Sequence, residues 1–205
     1  MGLDFLKSSM PDMDPDSPAL AWLRHYSNMG FLSVLLFLSF GVLLTIMVQS
    51  SSVAVAVTIT MAAKGWIDFD LAAAIVLGEN IGTTITANLA AITANLAAKR
   101  AAVAHLVFNV IGVIWVLCVF YMFLGMIKWI VPLNPNPDAA TLAAMGISNF
   151  DSLTGAAREA ALLKVAVPER LAMFHTLFNF CNICLLISFV PPVSYTHLRA
   201  HETCA

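Results

Sequence analysis

TIMVQSSSVAVAV, residues 45–57, places four hydrogen-bonding side chains, Gln49, Ser50, Ser51 and Ser52, inside an apolar run. No Asp, Glu, Lys or Arg occurs between Arg24 and Lys64. As one straight helix, residues 25–63 would extend about 58 Å, roughly twice the hydrocarbon core of a bilayer. The segment has to turn back or break, and QSSS is the polar cluster available for it. Residues 31–48 and 53–63 then become two arms of a hairpin, or halves of a discontinuous helix.

Composition explains why a bilayer is the relevant solvent. The chain has 205 residues, of which 60% are hydrophobic and 11% charged, against about 25% charged in typical soluble domains. A chain this short has too much surface per volume to hide that apolar content in one aqueous core. A formal net charge of -2 and the lack of a basic patch give no sign of nucleic-acid binding. The first residues, MGLDFLKSSMPDMDPDSP, have neither the basic start nor the long apolar run of a signal peptide. Of the four cysteines, Cys181 and Cys184 form a C-x-x-C without the second pair that a zinc site needs. Both lie inside an apolar run and are expected to be buried, inert thiols.

Along the chain, residues 1–30 read as a helix end, an acidic proline-containing loop and an interfacial helix. That helix is capped at Ser17–Pro18 and carries Trp22, Arg24 and Tyr26. KGWIDFD, residues 64–70, is a polar connection. The apolar region 71–98 is interrupted by GENIGTT, residues 78–84, which predicts a second broken helix. Lys99 and Arg100 close it and suggest a cytoplasmic loop. Residues 101–127 lack Asp, Glu, Lys and Arg and predict one spanning helix ending near Trp129 and Pro132. Residues 133–170 read as an extramembranous connection, and 171–192 as a last transmembrane helix stopped by Pro191 and Pro192. The pattern H-x-x-F-N occurs twice, pairing His105 with Asn109 and His175 with Asn179 on one helical face. Such pairs serve either hydrogen bonding between helices or substrate contact.

Non-helical backbone at membrane depth persists only where it is packed in protein or lines a wet cavity. Two broken segments near each other point to the binding site of a secondary transporter, with half-helix amides facing an anion and free carbonyls facing Na+. QSSS adds three hydroxyls and an amide, and GENIGTT adds Asn80, Thr83, Thr84 and the carboxylate of Glu79. Its glycines, Gly82 among them, would let backbone approach a ligand. Glu79, the one acid in residues 71–98, is either a proton or cation site or a cap on a hairpin tip. A non-transporting scaffold would use both segments for packing. No nucleophile–base constellation, metal-ligand spacing or nucleotide loop is present, so catalysis finds no support.

QSSS followed by GENIGTT, with KGWIDFDLAAAIVLGENIGTTITANLAA, KRAAVAHLVFNVIGVIW and FHTLFN, resembles the sodium-dependent phosphate cotransporters, the type II-related Na/Pi symporters. The resemblance implies an all-α integral membrane protein of re-entrant hairpins and spanning helices, half of an inverted-repeat transporter in a bacterial inner membrane. It implies symport of inorganic phosphate with Na+ as coupling ion and no other cofactor or metal. Phosphate would meet Gln49, Ser50, Ser51, Ser52, Thr83 and Thr84; sodium would meet Gln49, Ser50, Asn80, Gly82 and Thr83. Glu79, His105, Asn109, His175 and Asn179 would support them. Another anion in place of phosphate is the neighbouring alternative. The family carries two QSSS repeats, whereas this chain has one, so a missing first repeat or a second copy is the expected partner. Residues 31–132 would form the second repeat, and residues 193–205 resemble translated sequencing adapter.

Overall fold

The computed structural model describes residues 17–187, and these form an all-helical chain. The helices are α1 (Pro18–Ser27), α2 (Phe31–Val48), α3 (Ser51–Ala63), α4 (Phe69–Ala91), α5 (Leu96–Cys118), α6 (Phe120–Ile130), α7 (Ala139–Ala144) and α8 (Gly155–Leu186), with a 3-10 turn at Phe150–Ser152. The expected acidic loop before residue 17, the prolines ending the last helix and the tail at 193–205 lie outside the described residues. Two helices, α2 and α5, are long and apolar enough to cross a membrane.

The chain breaks at QSSS, as its polarity requires: α2 stops at Val48 and α3 starts at Ser51. Gly65, with φ 76°, closes the far end of α3. Its N–H reaches Ala62 O, and Trp66 N–H reaches Met61 O, the double bond that a left-handed residue permits after a helix. Asp68 then starts α4 by accepting from Leu71 N–H at 2.9 Å.

Every residue of α4 from Leu71 to Glu79 is buried. A helix that is apolar on all sides belongs inside a bundle, and α4 is that central element, with α2, α3, α5 and α8 packed around it. Small residues let the neighbours come close. A methyl group on Gly41 would run into Ile75 O, and one on Gly78 into Leu38 O. The α2–α4 register is therefore set at three points, Gly41 by Ile75, Leu38 by Gly78, and Thr45 by Gly82. From Gly41 beside Ile75 to Thr45 beside Gly82 the residue numbers rise in both helices, with Gly78 held between Leu38 and Val42, so the two helices run parallel. Thr58, past the turn, meets Glu79, so α3 runs back antiparallel to both.

That register corrects the expectation of a broken helix at GENIGTT. The α4 helix is continuous from Phe69 to Ala91. Gly78 and Gly82 are spaced four apart on one face, the small-residue spacing of close helix contact, and that contact needs no break. Two further boundaries differ from expectation. The span predicted over 101–127 is interrupted at Val119, with φ -117° and ψ 19°. There α6 turns so that Phe120, Phe123, Leu124 and Ile127 are all buried, with Phe123 edge-on to Phe174 at 5.5 Å. No polar residue marks this turn. The last helix starts at Gly155 rather than near Leu171 and runs through Pro168. The polarity of residues 133–170 reads as a connection, but with Val167, Leu171, Phe174 and Phe178 buried along one stripe the pattern is that of an amphipathic helix.

The start of α4 is tied to the end of α6 and to α8. Lys128 Nζ lies 2.7 Å from Asp70 Oδ1, and the buried Arg170 donates its Nε–H to Val131 O at 3.0 Å. The C-x-x-C pair is not buried as expected: Cys184 is exposed and Cys181 half-buried, and Cys118 is exposed too, all as free thiols; Cys204 lies outside the described residues. Cys118 and Cys184 stand on the outward faces of α5 and α8, among Ile111, Ile114, Phe180 and Ile183, which are also exposed.

The close contact predicts that Gly78→Leu separates α2 from α4 and destabilises the folded chain by more than the roughly 1–3 kcal/mol usual for overpacking. Gly125→Leu, where an added side chain begins in open space, should stay near the parent. Thermal unfolding of both variants in detergent would check this.

Candidate functional site: the hairpin tip

Gln49 is the non-glycine residue with positive φ among the described residues, at φ 55° and ψ 23°. For an L-residue that conformation costs roughly 1–2 kcal/mol, and glycine or asparagine would hold it more cheaply. Its N–H still closes α2 by bonding Thr45 O at 2.8 Å. Ser50 then extends, at φ -147° and ψ 111°, and its C=O accepts the first α3 bond, from Ala54 N–H at 3.0 Å.

The polar groups at this tip do little for the fold. Ser50 sits at the N-cap, yet no side chain caps α3, so the first amides of α3 point outward with the positive end of the helix dipole. Ser50 Oγ and Ser52 Oγ are 3.3 Å apart. Gln49, Ser51 and Ser52 are exposed and Ser50 is half-buried. An extended turn, three hydroxyls, one carboxamide and a helix N-terminus thus converge with bonding capacity to spare. This set can donate to an oxyanion, and its oxygens can accept a small cation.

The GENIGTT face of α4 is brought to the same end. A Cβ on Gly82 would lie 2.7 Å from Thr45 Cβ, and Gln49 is one helical turn, about 6 Å, beyond Thr45. The hairpin tip is thus level with residues 83–86 of α4. Within that turn the side chains are bound to their own helix. Thr83 Oγ1 donates to Glu79 O, and Thr84 Oγ1 to Ile81 O, both at 2.7 Å. Asn80 Nδ2 donates to Val76 O at 2.8 Å. Thr83 and Asn80 are half-buried and keep acceptor oxygens, whereas Thr84 is fully buried. Gly82 is buried against α2, where its lack of a side chain serves packing and not backbone exposure to a ligand.

Glu79 is enclosed in the bundle, with 1% of its surface exposed, and Thr58 Oγ1 donates to its Oε1 at 2.7 Å. That position rules out the cap-on-a-tip reading. The two His–Asn pairs do not join side chain to side chain. Asn109 Nδ2 donates to His105 O at 3.1 Å and Asn179 Nδ2 to His175 O at 2.8 Å, each within its own helix. His105 is exposed and His175 half-buried.

Apart from Glu79, the side chains that make polar contacts between these helices are ones the sequence did not single out. Asn88 Nδ2 donates to Thr84 O and to Ala102 O, both at 2.8 Å, tying α4 to α5. Asn182 packs its amide against Gly112 of α5, and its Oδ1 is buried without a partner. Thr58, Asn88 and Asn182 are hydrogen-bonding side chains in largely apolar helices, and that was the available signal. No cluster of three or more His, Cys, Asp or Glu suited to a metal occurs among the described residues.

The family described as Na+/Pi-cotransporter matches residues 1–133. "Uncharacterized protein YqeW" of Bacillus subtilis is 37% identical over 115 residues, covering 56% of this chain and 35% of that protein. Human "Sodium-dependent phosphate transport protein 2C" is 39% identical over 99 residues, covering 46% and 15%. "Putative inorganic phosphate export protein YjbB" of Escherichia coli K12 is 39% identical over 72 residues, covering 35% and 13%. These matches thus cover about a third or less of each relative. No solved structure matches the chain significantly. On the family match, which takes in both QSSS and GENIGTT, the chain belongs to the Na+/Pi-cotransporter family.

Proposed function

We propose that this chain carries one half of the binding site of a membrane transporter that couples inorganic phosphate to Na+. The observation that carries the reading is the hairpin tip. A strained glutamine and three serines occupy a helix break whose polar groups the fold leaves unused. Selection for stability alone would favour glycine at residue 49 and a capping bond at Ser50.

In the bilayer the exposed apolar faces of α2, α5 and α6 meet lipid or a second repeat. These faces include Leu43, Met47, Ile111, Ile114, Tyr121 and Met122. The tip lines a wet cavity between repeats, which is where irregular backbone is tolerated at depth. Phosphate accepts hydrogen bonds from the α3 amides, the serine hydroxyls and the Gln49 amide. Na+ takes oxygens from Gln49, Ser50 and the acceptor sides of Thr83 and Asn80, and offsets the anion's charge. No Lys or Arg occurs in residues 31–63 or 71–98. Neutral donors hold an oxyanion less tightly than an arginine fork does, which suits a ligand that must be released. The cavity's other wall comes from a second such repeat, in the same polypeptide or in a second copy. One relative is named a sodium-dependent phosphate transport protein and another a putative phosphate export protein; in a coupled carrier the net direction follows the gradients.

Labelled phosphate uptake by cells expressing the chain, alone and joined to a preceding repeat, tests the reading. Uptake is expected in Na+ medium and not in choline medium, and Gln49→Ala with Ser50→Ala should abolish it at equal membrane abundance. Sodium-dependent uptake that survives the double substitution, or none from either form, would overturn it. Gln49→Gly separates binding from folding. It should relieve up to about 1 kcal/mol of backbone strain, leaving thermal stability equal or higher, while uptake falls at least tenfold.

A further inference from the structure

We infer that Glu79 and Thr58 form a binding site for a small monovalent cation, Na+ or H+, distinct from the hairpin tip. The inference rests on the transport reading only for what the cation does, since the site itself follows from burial and bonding. Glu79 is 1% exposed and lies at the middle of the central helix. One carboxyl oxygen, Oε1, accepts from Thr58 Oγ1 at 2.7 Å. The other, Oε2, is enclosed and has no hydrogen-bond partner.

An ionised carboxylate in such a place needs a counter-charge, because burying one unpaired is strongly unfavourable. Among the described residues none stands beside it. The α2 and α3 helices carry no titratable side chain of any kind. On α5, Asn88 of α4 meets Ala102, so in an antiparallel pair the level of Glu79 falls near residue 111. His105 and Cys118, the titratable α5 groups on either side, are both exposed. On α8, Arg170 is engaged with Val131 O at the Asp70 end, and His175 is not bonded to Glu79. On α4 itself, Asp70 is paired with Lys128, more than two turns away. The neutralising charge therefore comes from solution.

The two oxygens of Glu79 and the hydroxyl of Thr58 supply three of the oxygen ligands that Na+ would take. A proton needs Oε2 alone. Both occupants use Oε2 and cancel the buried charge, Na+ as an ion pair with the carboxylate and the proton by making a neutral carboxyl. Thr58 stands on the α3 arm that begins at Ser51, so loading at Glu79 is joined by one rigid helix to the phosphate-binding tip. That connection gives a route by which cation and anion binding reinforce each other.

Thermal unfolding of the full chain in detergent tests this, in NaCl against choline chloride, at acid and at mildly alkaline pH. The sodium arm predicts a Tm raised by several degrees in NaCl at alkaline pH. The proton arm predicts a Tm raised by acid in either salt. In both, Glu79→Gln removes the response and is at least as stable as the unliganded parent. Should Glu79→Gln fail to fold, Thr58→Val keeps the carboxyl and is expected to shift the midpoint of the response about tenfold in cation concentration. Identical responses in parent and Glu79→Gln overturn the site, as does an unshifted midpoint in Thr58→Val. The Gln49→Ala, Ser50→Ala protein separates the two proposals. It should keep the Glu79 response while losing phosphate uptake. A response that depends on Glu79 in a protein indifferent to phosphate would remove the phosphate reading and leave the cation site standing.

Discussion

Backbone-to-backbone contact between α2 and α4 is the constraint on which the rest depends. Gly41 against Ile75, and Gly78 against Leu38, leave no room for even a methyl group. Between apolar helices in lipid there is no hydrophobic drive to pair, so close van der Waals contact has to provide the association. This contact also fixes height. It stops α4 from sliding along α2, and so holds the threonine-rich turn of α4 level with the QSSS break. The same register brings Glu79 to Thr58, because α3 returns alongside the helix that its partner arm has already positioned.

The central helix thus has two roles along its length. From Leu71 to Glu79 it is wholly buried and mostly alanine, isoleucine, leucine and valine. Beyond that, Asn80, Thr83, Thr84, Thr86 and Asn88 each return a side-chain hydrogen bond to a carbonyl one turn back. These bonds let a polar helix end stay helical. They leave the serines of the tip, which make no such bonds to the helix backbone, as the groups with donors to offer.

The break at QSSS was legible from residue chemistry because four adjacent polar side chains in a long uncharged run have few physical explanations. GENIGTT was misread because glycine has two uses in a membrane helix, breaking it or letting another helix approach. One sequence does not distinguish them; the partner glycine, Gly41, lies 37 residues upstream of Gly78 on another helix. The onset of α8 was missed because its charges were weighed without the apolar stripe from Val167 to Phe178 beneath them. The Val119 turn had no local signal, since it is set by where Phe120 and Phe123 can be buried against Phe174. The exposed cysteines follow from the same bias: in a chain with an apolar exterior, an apolar neighbourhood does not mean burial.

The central claim is that the hairpin tip is wet and receives phosphate together with Na+. Its most direct measurement is the reaction of a cysteine at residue 51 with a water-borne thiol reagent. The Ser51→Cys protein, with Cys118, Cys181, Cys184 and Cys204 replaced by alanine, would be labelled in membranes with and without phosphate, in Na+ and in choline. The account predicts ready labelling that phosphate slows in Na+ and leaves unchanged in choline. A thiol that does not react, or one whose rate ignores phosphate in both media, would contradict it and make the tip a packing surface.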